Sequence, residues 1–144
     1  MPRSPSETKA ALPVKNPTAQ RNLVLILARD LADKLASAAL IVDREGKLVY
    51  FNERCGEILD VTFAEVGPVP LDVLIKDFFP TDLEDRPLEE APLTAALRHE
   101  KPMHRLMRIR SAQGKPRDIA VTALPLFAHA NEVVGAMALF WEHE

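Results

Sequence analysis

A chain of 144 residues with 47% hydrophobic content can bury one core and is too short for two. Its 18 Lys and Arg against 21 Asp and Glu leave a formal charge of −3, so the basic excess of a general polyanion binder is absent and nucleic acid is unsupported as a partner. The single cysteine, Cys55, excludes an internal disulfide and a thiolate-held cofactor within one chain, and no apolar run approaches the roughly 20 residues of a membrane helix.

Residues 1–17 carry prolines at 2, 5, 13 and 17 among Ser, Thr, Lys and Glu, without apolar periodicity. That is the composition of a disordered tail, and it lacks the charged-then-apolar layout of a signal peptide, so a cytoplasmic protein is expected. Residues 18–36 contain no Gly or Pro, and Val24, Leu27, Ala28, Leu31 and Leu35 recur on one helical stripe. Leu23, Leu25 and Ile26 widen the stripe beyond one contact. A helix apolar around so much of its girth is expected to pack on its own sheet and on a partner. Leu23, Val24, Ile26, Leu27 and Leu31 are the candidates for a homodimer contact. The chain thus divides into a tail (1–17), a cover or dimerisation helix (18–37) and a domain (38–144).

Two strand-prone runs follow, AALIVD at 38–43 and LVYF at 48–51, joined as a hairpin by a turn containing Gly46. The second run breaks at Asn52, a good helix N-cap, after which Cys55, Ile58 and Leu59 share one helix face. Short helices are expected over 52–60 and 71–79, separated by Gly67-Pro68 and closed by Pro80. An acidic, proline-punctuated loop occupies 81–92, and Pro92 then opens a helix to about residue 100. Three long strand-like runs at 102–111, 116–127 and 132–142 form a meander. The sum is an α+β fold: a five-stranded antiparallel sheet with short helices on one face. In the last run Val133, Met137, Leu139 and Trp141 alternate with Val134, Ala136, Ala138 and Phe140. A strand apolar on both sides is covered on both, which leaves the second face to the N-terminal helix.

This order of elements, with ALIVDREGKLVYFNERCGEILD at 39–60, PLTAALRHEKP at 92–102, RIRSAQGKPRDIAVTALPLF at 108–127 and EVVGAMALFWE at 132–142, resembles the PAS family of sensory and protein-interaction domains. The resemblance runs from about Ala32 to Glu142, and Asn52 stands where the family frequently has asparagine. It implies a PAS-like sheet whose helices wall a cavity, and a signalling output protein or domain as partner. The family ordinarily continues into an Asp-x-Thr type linker, whereas this sequence stops at Glu142-His143-Glu144, as a lone domain or an excised piece would.

Catalysis finds no residues to use, since no phosphate-binding Gly-rich loop, His-Glu-x-x-His or Gly-x-Ser-x-Gly is present. A non-catalytic module is expected. The adduct-forming cysteine of the flavin-binding LOV branch belongs to a later helix than Cys55, and the matching stretch here, PLDVLIKDFF at 70–79, has none. Cys55 reads as a small buried apolar residue. His99 lies where haem-binding members of the family place an axial histidine, and His104 follows on a strand. Arg98, Glu100 and Lys101 surround His99, however, and a cation at a helix C-terminus accounts for it without a metal. No cofactor and no metal are expected, with a haem-bearing sensor using His99 as the alternative. The acidic loop (Asp82, Glu84, Asp85, Glu89, Glu90) offers carboxylates for a divalent cation, but a solvated loop explains it more simply. Pairing with the basic strip Arg98, Lys101, Arg105, Arg108, Arg110, Lys115 and Arg117 explains it equally. The inward candidates for a cavity are Phe51, Cys55, Leu59, Leu74, Phe78, Leu97, Met107, Val121 and Met137, a set suited to a small apolar ligand.

Overall fold

The structure, a computed structural model, describes residues 17–129 and 131–143. Of the expected tail, residues 1–16 lie outside the described residues. Pro17 instead opens the first helix, α1 (Pro17–Asp33), where its fixed φ suits the first turn. The hairpin β1 (Ala38–Asp43) and β2 (Leu48–Phe51) turns on Gly46, whose φ of 82° frees it for the turn, while Asp43 Oδ1 accepts from Lys47 N at 2.9 Å. Then come α2 (Glu53–Leu59), α3 (Phe63–Val66), α4 (Leu71–Phe78) and α5 (Pro92–His99). The meander is β3 (Met103–Arg110), β4 (Pro116–His129) and β5 (Glu132–Glu142). The one helix the sequence reading omits, α3, was signalled by Thr62 and Glu65, which form a capping box.

The strands pair antiparallel in the order β2-β1-β5-β4-β3, so the last strand is the centre of the sheet and both ends of the chain's fold meet there. Alternation along β5 then builds two cores. Ala136, Ala138 and Phe140 face α2–α5 and join the larger cluster with Leu40, Val42, Phe51, Ile58, Met107, Ile119 and Val121. Met137 and Leu139 face the other way and meet α1, in a smaller cluster with Ala28, Ala32, Ala39 and Ile41. Gly135 lets α1 come close, because Leu25 Cδ2 would lie 3.1 Å from a Cβ at that position.

The apolar girth of α1 divides between two faces. Leu25, Ala28, Ala32 and Leu35 pack on the sheet, whereas Leu23, Ile26, Leu27 and Leu31 point to solvent, each more than half exposed, and Val24 is half-buried. Small alanines at 28 and 32 set the contact because they let the helix axis approach the sheet closely, and the bulkier Leu27 and Leu31 rotate outward. No helix among the described residues is long and apolar enough to cross a membrane.

Candidate functional site

Between the sheet and the short helices lies a cavity of about 100 Å³. Its floor is Leu40, Met107, Ile109, Ile119, Val121, Ala138 and Phe140, one face of four strands. Leu59 closes one side, and Leu71, Leu74, Ile75 and Phe78 of α4 form the wall. Pro80, Ala91, Pro92 and Leu93 complete it, with half-buried Ile75, Pro80 and Ala91 at the outer edge. Every lining side chain is apolar.

Of the sequence candidates, Leu59, Leu74, Phe78, Met107 and Val121 line this cavity. Phe51, Cys55 and Leu97 belong to the same core but stand beside it, Phe51 stacked edge-on against Phe63 with centroids 5.5 Å apart. Met137 is a correction: alternation sends it to the α1 face, opposite its neighbours Ala136 and Ala138. The same period would have found Ile109 and Ile119, two positions from Met107 and Val121, and Ala138 with Phe140. Cys55 is fully buried, and burial pushes its thiol far above the ordinary range, so it is an inert packing residue.

His99 is placed away from the cavity. It lies on the surface beside Arg98 and 3.6 Å from Glu90, and it is not among the residues that line the cavity. Four carboxylates of the acidic loop, Asp82, Glu84, Asp85 and Glu90, are engaged by arginines. Arg86 holds Asp82 at 2.9 Å and Glu84 at 2.7 Å, and Arg108 reaches Asp85 at 2.9 Å and Asp118 at 2.6 Å. Among the described residues no three potential metal ligands cluster. A wider polar cleft of about 710 Å³ lies at the end of the sheet, between Arg54, Arg108, Arg110, Arg117 and Trp141. Three of its arginines are spent on Glu57, Asp85, Asp118 and Glu142, so the wholly apolar cavity is the stronger candidate site.

Asn52 joins the cavity wall to α1. It is 5% exposed, and its Oδ1 accepts from Cys55 N at 3.0 Å, capping α2, and from Ala39 N at 3.1 Å on β1. Its Nδ2 donates to the carbonyls of Ala32 in α1 and Ser37 in the following linker, each at 2.9 Å. All four hydrogen-bonding positions of the side-chain amide are filled. Only an amide supplies both donors and acceptors to four backbone segments at once.

A second tie to α1 runs through the chain's single tyrosine. The Tyr50 hydroxyl donates to the Asp33 carboxylate, and the Arg29 guanidinium lies 4.4 Å from the ring centroid. The hydrogen bond to Asp33 raises the phenol above its ordinary 10.0, with burial adding to the shift. The folded state therefore keeps a proton that the unfolded state releases near pH 10, and the stability this bond contributes is lost as pH rises through the raised value. The phenolate absorbance of the folded chain should titrate above 10, and in Asp33→Asn its midpoint should fall back toward 10. An unshifted midpoint in the wild type would remove this tie.

A family model for the PAS fold matches residues 32–143. In sequence, no curated protein matches the chain. Among solved structures, the PAS domain of a Colwellia psychrerythraea protein superposes with a TM-score of 0.60 at 13% identity, covering 83% of this chain and 97% of that one. A Rhodobacter sphaeroides LOV protein gives 0.64 at 17% identity, over 88% of this chain and 69% of that one. The PAS domain of nitrogen regulation protein NR(II) from Vibrio parahaemolyticus gives 0.58 at 15%, over 81% and 98%. At these identities the likeness is one of fold.

Proposed function

The chain belongs to the PAS fold family, and from that premise we propose that it is a non-catalytic sensory module of signal transduction, one that takes a small apolar ligand into its cavity and self-associates through α1. One observation carries this: the central strand β5 presents Ala138 to the cavity and the adjacent Met137 to α1. A displacement of one strand is then felt on both faces of the sheet. Asn52 supports the same route, because its amide holds α2 of the cavity side and the last turn of α1 together. A ligand transmits a signal only if it binds two arrangements of these parts unequally. A PAS domain from a two-component sensor histidine kinase is among the structural neighbours, and a signalling output protein or domain is the partner inferred by that analogy.

Self-association rests on the outward face of α1. Leu23, Leu27 and Leu31 fall four residues apart with Ile26 beside them, the spacing of a helix that packs against another helix. A second copy supplies the matching stripe. Native mass spectrometry at micromolar concentration should find a species at twice the 16.0 kDa chain mass. Leu27→Glu with Leu31→Glu should return it to the monomer with unchanged far-ultraviolet dichroism, since both side chains are exposed in one copy. A wild-type monomer at high micromolar concentration would overturn the dimer.

A further inference from the structure

Resting on the reading of the cavity as a ligand site, we infer that its ligand is a hydrocarbon-like molecule without hydrogen-bonding groups and no larger than about one six-membered ring. The wall offers such a group nothing: from Leu59 through Met107 to Phe140 it is carbon apart from the Met107 sulfur. The backbone N–H and C=O groups of the floor are engaged in the ladders that pair β3 with β4 and β4 with β5. A hydroxyl or carboxylate carried inside would lose its water partners and gain none.

Size narrows the class further. The cavity is about 100 Å³, and a dry apolar cavity of about 150 Å³ holds benzene. Met107 on the floor and half-buried Ile75 at the outer edge supply the slack for a ring of that size. Haem, flavin and nucleotides fall outside on both counts, being far larger and needing polar partners.

The test uses the full chain with benzene, its hydroxylated counterpart phenol, and xenon. Benzene should raise the melting temperature, and xenon should show a bound signal by 129Xe NMR. Phenol should bind at least about tenfold more weakly, since its hydroxyl enters unpaired. Ala138→Ile places three more carbons in the cavity from a strand position that favours branched residues, so it should keep or raise stability and abolish the benzene response. Val121→Ile adds one carbon and should weaken the benzene response, which keeps the test open if the larger change prevents folding. Phenol binding as tightly as benzene would overturn the ligand class while leaving the cavity as a site. Failure of both benzene and xenon to bind would overturn the cavity reading with it, and benzene binding undiminished in both variants would place benzene elsewhere.

Discussion

Asn52→Ala should lower the melting temperature by roughly 10 °C, the largest loss expected from any polar substitution in the chain. The side chain it removes satisfies four backbone groups in a site only 5% exposed. Losing the cap of α2 alone costs about 1 kcal/mol. Leaving Ala39 N and Ser37 O without partners in a mostly dry site, and Ala32 O with Leu35 N alone, brings the total to about 3 kcal/mol. Asn52→Asp separates the contributions. A carboxylate still accepts from Cys55 N and Ala39 N but cannot donate to the two carbonyls, so α2 should stay capped while the junction of α1 and β1 loosens. Denaturant unfolding gives the sum, and amide exchange of residues 32–37 gives the part that belongs to α1. An Asn52→Ala change below about 1 kcal/mol would mean that water replaces the amide and that Asn52 joins nothing.

The second large effect is expected at Gly135, where Ala should destabilise by about 2–4 kcal/mol. A Cβ there would lie 2.3 Å from the Val42 carbonyl oxygen and 3.3 Å from Asp43 Cα, both backbone atoms of the paired strand. Neither can rotate away, so β1 and β5 must separate where Val42 pairs with Ala136 and Asp43 with Gly135. The Leu25 contact at 3.1 Å is with the tip of a flexible side chain and yields more cheaply. Leu25→Ala should therefore fail to rescue Gly135→Ala in urea unfolding. A rescue, or a neutral Gly135→Ala, would show that the close approach of α1 to the sheet sets the constraint rather than the strand pairing.

Most of the fold was legible because its signals are local and strong. Gly46 with Asp43, Asn52 at the head of α2, Pro92 at the start of α5 and the alternating meander each carry a mechanism that does not depend on distant parts of the chain. The errors arise where two readings of a pattern compete. Val24, Leu27, Ala28, Leu31 and Leu35 share a helical stripe that does not say which of them meets the sheet; the sheet takes Ala28 and Ala32, and Leu27 and Leu31, already candidates for the partner face, turn outward. Met137 is an inward candidate by its apolar character, but β5 is apolar on both faces and the alternation places it under α1. Cavity residues such as Ile109, Ile119 and Ala138 were readable from period two once one inward neighbour was known. The other three partners of Asn52, at Ala39, Ala32 and Ser37, were not, because they come from segments 13 to 20 residues away that only the folded chain brings together.

Coupling between the cavity and α1 is tested most directly by hydrogen–deuterium exchange of the full chain with and without saturating benzene. Transmission through β5 and Asn52 predicts altered protection in residues 25–35 of α1 and its linker as well as in α4 and α5. Protection that changes only in the helices around the cavity, with α1 exchanging as before, would contradict a sensory role for this sheet.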